Sequence, residues 1–406
     1  ADGTSELLGL PHAHDVRSTA ACLLRVAPIA QPGLESWLEG RTQKLTRISG
    51  GGFDALAESI GVLDCGNSGT SMRLLAGLLA GRPFRSVLDG DESLKRRPME
   101  RVAEPLRAMR ADVRTEDGHA PITVGGGSLE GSRVEMTTPS AQVKGAILLA
   151  GVQADGTTEF EEPSPTRDHT ERTFEALGAP LERAGGTLRI RRFQHEAFGG
   201  EVPGDLSAAA FLLCAAAIRE GSEITVEGVG TNPSRLGFVD VLRRAGAEVE
   251  VDTTSDSLGE PIGTLHLRAR ELAPFTVGAE ELPRLIDEVP ALAALAAHAP
   301  GTSRFDGAGE LRLKESDRLA GLAESLRLLG GNAQDEGDTL VVEGGGLAGG
   351  HTDGQDDHRL AMALAVAALG AREPSVVEGA EWAAISFPGF VGALDTLGGS
   401  IEEVQP

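Results

Sequence analysis

Short polar clusters precede long runs rich in Ala and Leu at six places along the chain. This arrangement predicts six helices whose first turns carry polar residues. Helix N-termini bind anions, because unpaired backbone N–H groups and the helix dipole face the ligand. Several such ends pointing at a common surface therefore predict a site for phosphorylated substrates. The clusters are Arg17-Ser18-Thr19, residues 65–70, residues 140–144, residues 204–207, Ile286-Asp287-Glu288 and residues 356–359.

A second pattern follows most of these helices. After a Gly or Pro break comes a strand-like stretch, and then another helical run that ends in Leu-Gly or Ala-Gly. Glycine at this point predicts a left-handed residue that closes the helix. The glycines concerned are Gly178, Gly246, Gly330 and Gly398. We therefore predict a chain built from repeated α/β units of roughly 65 to 80 residues.

Length and composition limit the class of protein. A chain of 406 residues predicts two domains. The net charge of −24 argues against nucleic acid or an anionic membrane as partner. The chain has no apolar run long enough to cross a membrane, and its first ten residues lack the basic segment of a signal peptide. Its three cysteines lie far apart, show no metal spacing and cannot pair evenly, so we expect a protein of the reducing cytoplasm. We also expect a monomer.

Lysine is scarce, and its positions are informative. The chain has 37 basic residues, of which only Lys44, Lys95, Lys144 and Lys314 are lysines. Three of these four lie inside polar clusters: Lys95 beside Arg96-Arg97, Lys144 in the third helix start, and Lys314 before Glu315. We interpret these as candidate anion ligands, although any single one of them could be a solvated surface charge.

Several of these clusters, taken in order, resemble those of the 5-enolpyruvylshikimate-3-phosphate synthase family. The resemblance extends from about Gly50 to the C-terminus. It implies a two-domain inside-out α/β barrel of six βαβαββ-type units, with residues 12–200 in one domain and residues 1–11 plus 201–406 in the other. The active site would lie in the cleft between them. The matching stretches are residues 63–73, 96–99, 140–142, 167–172, 202–205, 314–318, 357–362 and 386–388.

The resemblance also implies a reaction and its ligands. The family transfers the enolpyruvyl group of phosphoenolpyruvate to the 5-hydroxyl of shikimate 3-phosphate and releases phosphate. It does so without cofactor or metal, in the pathway to chorismate and the aromatic amino acids, and it is the target of glyphosate. By resemblance, phosphoenolpyruvate would be bound by Gly69, Arg97, Gln142, Arg318 and Arg359. Shikimate 3-phosphate would be bound by Ser140, Ala141, Gln142, Thr166, Asp287 and Lys314.

Proton transfer needs two groups in different environments. By resemblance, Asp287 would accept the proton of the 5-hydroxyl, and Glu315 would serve the methylene carbon. From the residues alone, Glu315 could equally be an ion-pair partner of its basic neighbours on a helix. Asp287 could be no more than a helix N-cap.

The N-terminal part departs from the family. Members carry a Pro-Gly-Asp-Lys-Ser helix start whose lysine contacts both substrates, whereas no lysine precedes Lys44 here. Arg17 takes either the place of that lysine or the place of the arginine that follows it in the family. Two further functions stay open: a UDP-N-acetylglucosamine enolpyruvyl transferase, and an impaired relative that only binds phosphorylated ligands. The pair His12 and His14 resembles a metal motif, but nothing downstream supplies further ligands.

Overall fold

Two compact groups of residues make up the chain. The computed structural model describes residues 1–27, 29–41, 44–402 and 404. Unit 1 comprises residues 1–202 and 256–260, and unit 2 comprises residues 203–255 and 261–406. Pro28, Thr42 and Gln43, which belong to the divergent N-terminal part, lie outside the described residues. No helix within those residues combines the length and apolar character that crossing a bilayer requires.

The strands and helices of unit 1 alternate along the sequence. They are β1 (Asp2–Leu8), α1 (His14–Val26), α2 (Pro32–Leu38), β2 (Leu45–Gly51), β3 (Leu63–Asp64), α3 (Gly69–Leu79), β4 (Arg85–Asp89), α4 (Glu92–Lys95), α5 (Glu100–Ala108), β5 (Asp112–Glu116), β6 (His119–Gly125), β7 (Arg133–Glu135), α6 (Ala141–Gly151), β8 (Thr157–Glu161), α7 (His169–Ala176), β9 (Leu181–Ala184), β10 (Thr187–Arg191) and β11 (Gly199–Glu201).

The elements of unit 2 follow the same alternation. They are α8 (Leu206–Ala217), β12 (Glu223–Gly230), α9 (Gly237–Arg244), β13 (Glu248–Ser257), β14 (Glu260–Arg268), β15 (Thr276–Val277), α10 (Val289–Ala296), β16 (Gly301–Phe305), α11 (Arg318–Leu328), β17 (Asn332–Glu336), β18 (Thr339–Gly344), β19 (His351–Asp353), α12 (His358–Leu369), β20 (Val376–Glu378) and α13 (Phe390–Thr396). Short 3₁₀ segments lie at Phe53–Ala55, Leu282–Arg284, Ala308–Leu313 and Ala380–Ile385.

One sheet topology recurs. Within the described residues, the order βαβαββ is complete in the runs that begin at β3, β7 and β15, and in the first of these α4 and α5 together take the place of the second helix. Each run forms a four-stranded sheet in which the first two strands are parallel and the fourth strand lies between the second and the third. The other sheets, β11-β1-β2, β12-β14-β13 and β19-β20, are smaller. The predicted repeats are therefore present, and some of them are incomplete.

The first strand determines where residues 1–11 belong. Strand β1 pairs with β2 in antiparallel and with β11 in parallel orientation. Both partners lie in unit 1, so residues 1–11 group with unit 1, whereas the sequence-based division assigned them to the C-terminal domain. The other boundary, near residue 200, is similar in both divisions.

Most of the predicted helix starts lie where the polar clusters placed them. The side chains of Ser68, Ser140, Asp205 and Asp357 each accept a hydrogen bond from a backbone N–H in the following first turn. The prediction for Arg17-Ser18-Thr19 is wrong, because α1 already begins at His14 and the backbone N–H of Arg17 donates to the Ala13 carbonyl at 3.0 Å. This cluster therefore lies inside the helix.

The predicted helix ends are confirmed. Gly178, Gly246, Gly330 and Gly398 have φ angles of 84°, 102°, 78° and 89°. These values lie in the left-handed region that glycine adopts without a steric penalty. Each glycine closes its helix and turns the chain toward the following segment.

The central helices of the two units pack differently. In unit 2, α8, α10 and α12 contact one another pairwise, and every residue of α10 is buried. In unit 1, α3 and α6 pack so closely that a side chain at Gly77 would collide with the backbone of Ala146. Helix α1 contacts α3 and has at most marginal contact with α6.

A mainly apolar cavity of about 240 Å³ lies in unit 1. It is lined among others by Leu23, Ile48, Phe53, Leu78 and Leu149.

Candidate active site

In unit 1, the N-terminus of α3 lies beside two arginines. A Cβ atom added to Gly69 would be 3.1 Å from the Nη1 atoms of both Arg73 and Arg97. Both arginines are buried, and Arg97 donates from Nη2 to the Asn67 side-chain oxygen at 2.7 Å. Two guanidinium groups at a helix N-terminus form an environment that attracts carboxylate or phosphate.

The start of α6 extends this cationic region. The side-chain oxygen of Gln142 accepts from Arg73, and its amide nitrogen donates to the Thr70 hydroxyl at 2.7 Å. Ser140 caps α6 by accepting from the backbone N–H of Val143 at 3.4 Å, and Ala141 is the first residue of the helix. The predicted residues Gly69, Arg97 and Gln142 are thus brought together through Arg73.

Thr166 is held by a buried ion cluster. Its hydroxyl donates to Glu162 at 2.5 Å, and the Lys144 ammonium lies 3.0 Å from the same carboxylate. Lys144 also pairs with Glu171 at 2.7 Å, and its side chain is only 1% exposed. Burial raises the pKa of Glu171, although Lys144 opposes this shift. Lys144 therefore pairs with two carboxylates of unit 1 and stabilises the segment that carries Thr166.

In unit 2, the predicted residues form one charged cluster. The Lys314 ammonium lies 3.4 Å from Oδ1 of Asp287, and Nη1 of Arg318 lies 3.9 Å from the same atom. Arg318 also pairs with Glu315. Arg359 donates from Nη1 to the backbone carbonyl of Asp287 at 3.0 Å. Two carboxylates and three basic groups thus lie within one network.

Asp357 fixes the orientation of Arg318. Its two carboxylate oxygens accept from Nε and Nη2 of Arg318 at 2.8 and 3.1 Å, and neither side chain is more than 1% exposed. Burial favours a raised pKa for Asp357, but the Arg318 guanidinium outweighs it and holds the pKa of this carboxyl below its usual value. Despite its burial, the pKa of Arg318 is raised by Asp357 and Glu315. The guanidinium is therefore permanently charged and rigidly held.

The structure bears on the alternative roles of Glu315 as an ion-pair partner and of Asp287 as a helix N-cap. Glu315 does pair with Arg318, so its ion-pair role is real, but it lies before α11 and outside that helix. The N-cap of α10 is Glu288, so the interpretation of Asp287 as a cap is wrong. The Asp287 carboxylate instead faces Lys314 and Arg318.

Arg73 and Asp357 belong to these two networks, although neither was predicted from the sequence as a candidate site residue. Arg73 lies one helical turn after Gly69, so the helical spacing alone places both on one face of α3. Asp357 was recognised only as part of a helix start, and its pairing with Arg318 depends on tertiary packing. His12, part of the apparent metal motif, stacks on Trp37 with ring centroids 4.7 Å apart.

Comparisons with known proteins identify the family of the chain. The family model for EPSP synthase (3-phosphoshikimate 1-carboxyvinyltransferase) matches residues 1–394. A 3-phosphoshikimate 1-carboxyvinyltransferase from Parasynechococcus marenigrum is 45% identical over 98% of this chain and 90% of its own length. Another with this name, from Halorhodospira halophila, is 46% identical over 100% of this chain and 90% of its own length.

Solved structures show the same fold. The EPSP synthase of Acinetobacter baumannii superimposes with a TM-score of 0.84 at 37% identity, covering 100% of this chain and 92% of its own. The enolpyruvyl transferase NikO of Streptomyces tendae, at 20% identity and a TM-score of 0.73 over 98% of this chain and 90% of its own, supports the fold alone. The prediction of an enolpyruvyl transferase fold is confirmed, and the chain belongs to the EPSP synthase family.

Proposed function

We propose that this chain transfers the carboxyvinyl group of phosphoenolpyruvate to the 5-hydroxyl of shikimate 3-phosphate and releases inorganic phosphate. The observation that carries this proposal is the network in unit 2, where Asp287 and Glu315 both pair with Arg318 and Asp287 also pairs with Lys314. The reaction needs groups that move protons beside groups that bind anions, and this network contains both. Family membership supports the same assignment.

The residues of unit 1 would bind the anionic groups of the substrates. Arg97, with Gly69 beside it, is suited to the carboxylate or phosphate of phosphoenolpyruvate, because a guanidinium binds such groups through paired hydrogen bonds. Gln142 lies next to this region and would contact both substrates. Ser140, Ala141 and Thr166 would bind shikimate 3-phosphate, with Thr166 held in place by Glu162.

The residues of unit 2 would carry the chemistry. Asp287 would accept the proton of the 5-hydroxyl while Lys314 stabilises the charged form of the carboxylate. Glu315 would deliver a proton to the methylene carbon and take one back when the tetrahedral adduct loses phosphate. Arg318 and Arg359 would bind phosphoenolpyruvate, and the fixed orientation of Arg318 reduces the reorganisation that the transition state requires.

Two further proposals concern the protein as a whole. The free cysteines Cys22, Cys65 and Cys214 are all buried, which is typical of proteins in a reducing compartment and supports a cytoplasmic location. We also propose that the protein is a monomer, and sedimentation equilibrium with the purified chain tests this directly.

The proposed reaction is tested by measuring phosphate release from phosphoenolpyruvate with shikimate 3-phosphate as acceptor. A parallel reaction receives UDP-N-acetylglucosamine instead. We expect release only with shikimate 3-phosphate. Release only with the nucleotide sugar would identify the alternative transferase. Binding of shikimate 3-phosphate by calorimetry without release under any condition would identify a binding-only relative and refute the proposed activity.

A further inference from the structure

Glu288 is a buried acid that the proposed chemistry does not use. It follows Asp287 directly and is the N-cap of α10, yet its side chain caps no backbone N–H. Its carboxylate is 0% exposed, and the helix that follows is apolar and buried along its whole length. Burying a charge in such surroundings is unfavourable unless the charge is paired, so the partners of Glu288 indicate what it does.

The partners come from two other helical segments. Nη2 of Arg235, which precedes α9, donates to Oε1 of Glu288 at 2.8 Å. The same nitrogen lies 2.5 Å from the hydroxyl of Ser207 in the first turn of α8, and that hydroxyl donates to Glu288. Arg235 and Ser207 are themselves buried. The starts of α8, α9 and α10 are therefore tied together by one polar cluster.

The backbone next to Glu288 is also held on its other side. The Asp287 carbonyl accepts from Arg359 at 3.0 Å, while the backbone N–H of Glu288 donates to Leu285 at 2.9 Å. Arg359 thus holds the carbonyl of the peptide unit that joins Asp287 to Glu288, and Arg235 holds the side chain of Glu288. The direction in which the Asp287 side chain leaves the backbone depends on both.

We propose that Arg235, Ser207 and Glu288 are positioning residues that fix the Asp287 carboxylate for proton transfer. This inference rests on the proposed function, in which Asp287 is the proton acceptor. A buried ion pair contributes little to stability compared with apolar residues of the same volume. We infer that this ion pair instead holds the side chains in one orientation, because hydrogen bonds between charged groups in a water-free interior favour a single geometry. Small displacements of a catalytic group reduce the rate strongly.

The test measures Glu288→Gln in two backgrounds. In the wild-type background we expect kcat to fall by about tenfold to a hundredfold, with the KM of each substrate within about threefold, because the variant misplaces a reacting group without removing a ligand. In the Asp287→Ala background the same change should have almost no further effect on the residual rate. Equal fractional losses in both backgrounds would show a merely structural role and overturn the proposal.

A matched pair of serine variants provides the control. Ser207→Ala removes a member of the cluster, and Ser303→Ala removes an equally buried hydroxyl of unit 2 that accepts from the backbone N–H of Phe275. Both variants should lower the melting temperature to a similar extent. Only Ser207→Ala should lower kcat, and a comparable kcat loss in Ser303→Ala would count against the proposal.

A structural readout keeps the inference testable without turnover. Crystal structures of the wild-type protein and Glu288→Gln should differ at Asp287, with the Arg359 contact to its carbonyl and the Lys314 contact to its carboxylate lengthened or lost. If the wild-type protein is inactive but these contacts change, the proposed function fails and the positioning role stands. Unchanged contacts at Asp287 would overturn the positioning role, whatever the activity.

Discussion

Replacing Gly69 with alanine should selectively weaken the binding of phosphoenolpyruvate. The added methyl would lie 3.1 Å from the Nη1 atoms of Arg73 and Arg97, closer than ordinary contact distance. Both guanidiniums would have to move by about 0.4 Å or more. A hydrogen bond to a charged group contributes about 1.5 to 3 kcal/mol, and losing part of it corresponds to about 1 to 2 kcal/mol. We therefore expect the KM for phosphoenolpyruvate to rise by about 5-fold to 30-fold.

The fold should tolerate this change. Gly69 is the first residue of α3, and its φ is not in the left-handed region, so alanine fits the backbone and favours the helix. The matched control is Gly392→Ala in α13, where an added Cβ meets nothing within 4 Å. Initial rates of phosphate release, with each substrate varied in turn, separate the two KM values.

Inhibition by glyphosate provides a second readout for the same variant. Because glyphosate mimics phosphoenolpyruvate, Gly69→Ala should weaken inhibition at least as much as it weakens substrate binding, whereas the control should not. If both KM values rise equally, or neither changes, Gly69 does not border the phosphoenolpyruvate site and the reasoning is refuted.

Further predictions concern the acids, the N-terminal helix and pH. Glu315→Gln and Asp287→Ala should each lower kcat by about two to four orders of magnitude, while calorimetry still detects shikimate 3-phosphate binding; wild-type turnover in either variant would refute its role. The wild-type chain should turn over slowly, because a lysine that stabilises transition-state charge is missing; replacing residues 12–43 with a family-like Lys-Ser segment should raise the rate at least tenfold. High activity that is unaffected by Arg17→Ala would contradict this. Burial, with Arg359 and Arg318 nearby, lowers the pKa of His358 to about 4, so stability present above pH 6.5 is lost as the pH falls toward 4. In denaturant titrations, the loss of stability between pH 7.5 and pH 5 should be about 2 kcal/mol smaller in His358→Gln than in the wild-type protein.

The structure gives one reason to examine Arg17 in particular. Two residues after Arg17, the Thr19 hydroxyl shares a 2.5 Å hydrogen bond with the Ser71 hydroxyl of α3. The Ser18 hydroxyl would lie 2.9 Å from a Cβ atom added to Gly66. Within the described residues, the Arg17 guanidinium has no hydrogen bond or ion pair. Arg17→Ala therefore removes a charge from α1 without breaking a hydrogen bond or an ion pair of its side chain within the described residues.

Local features were predictable from the sequence, and tertiary ones were not. The caps at Ser68 and Asp357 and the left-handed Gly330 depend on residues within one or two turns, so a short sequence window contains the necessary information. The pairing of Arg73 with Gln142 joins residues 69 positions apart and depends on the packing of α3 against α6. No spacing rule relates such residues, and the family resemblance covered both stretches without showing that these two side chains pair.

The packing of α2 outside the large core affects how unit 1 opens in solution. Leu34 and Trp37 of α2 form, with Ala20, a small hydrophobic cluster of their own, whereas Cys22 and Val26 of α1 belong with α3 and α6 to the large core of unit 1. Segments that share few apolar contacts with the main core open at a lower free energy than the core itself. Backbone amides of α2 should therefore exchange with solvent faster than those of α3 and α6. Limited proteolysis would begin in this first repeat while the remaining repeats of unit 1 are still folded.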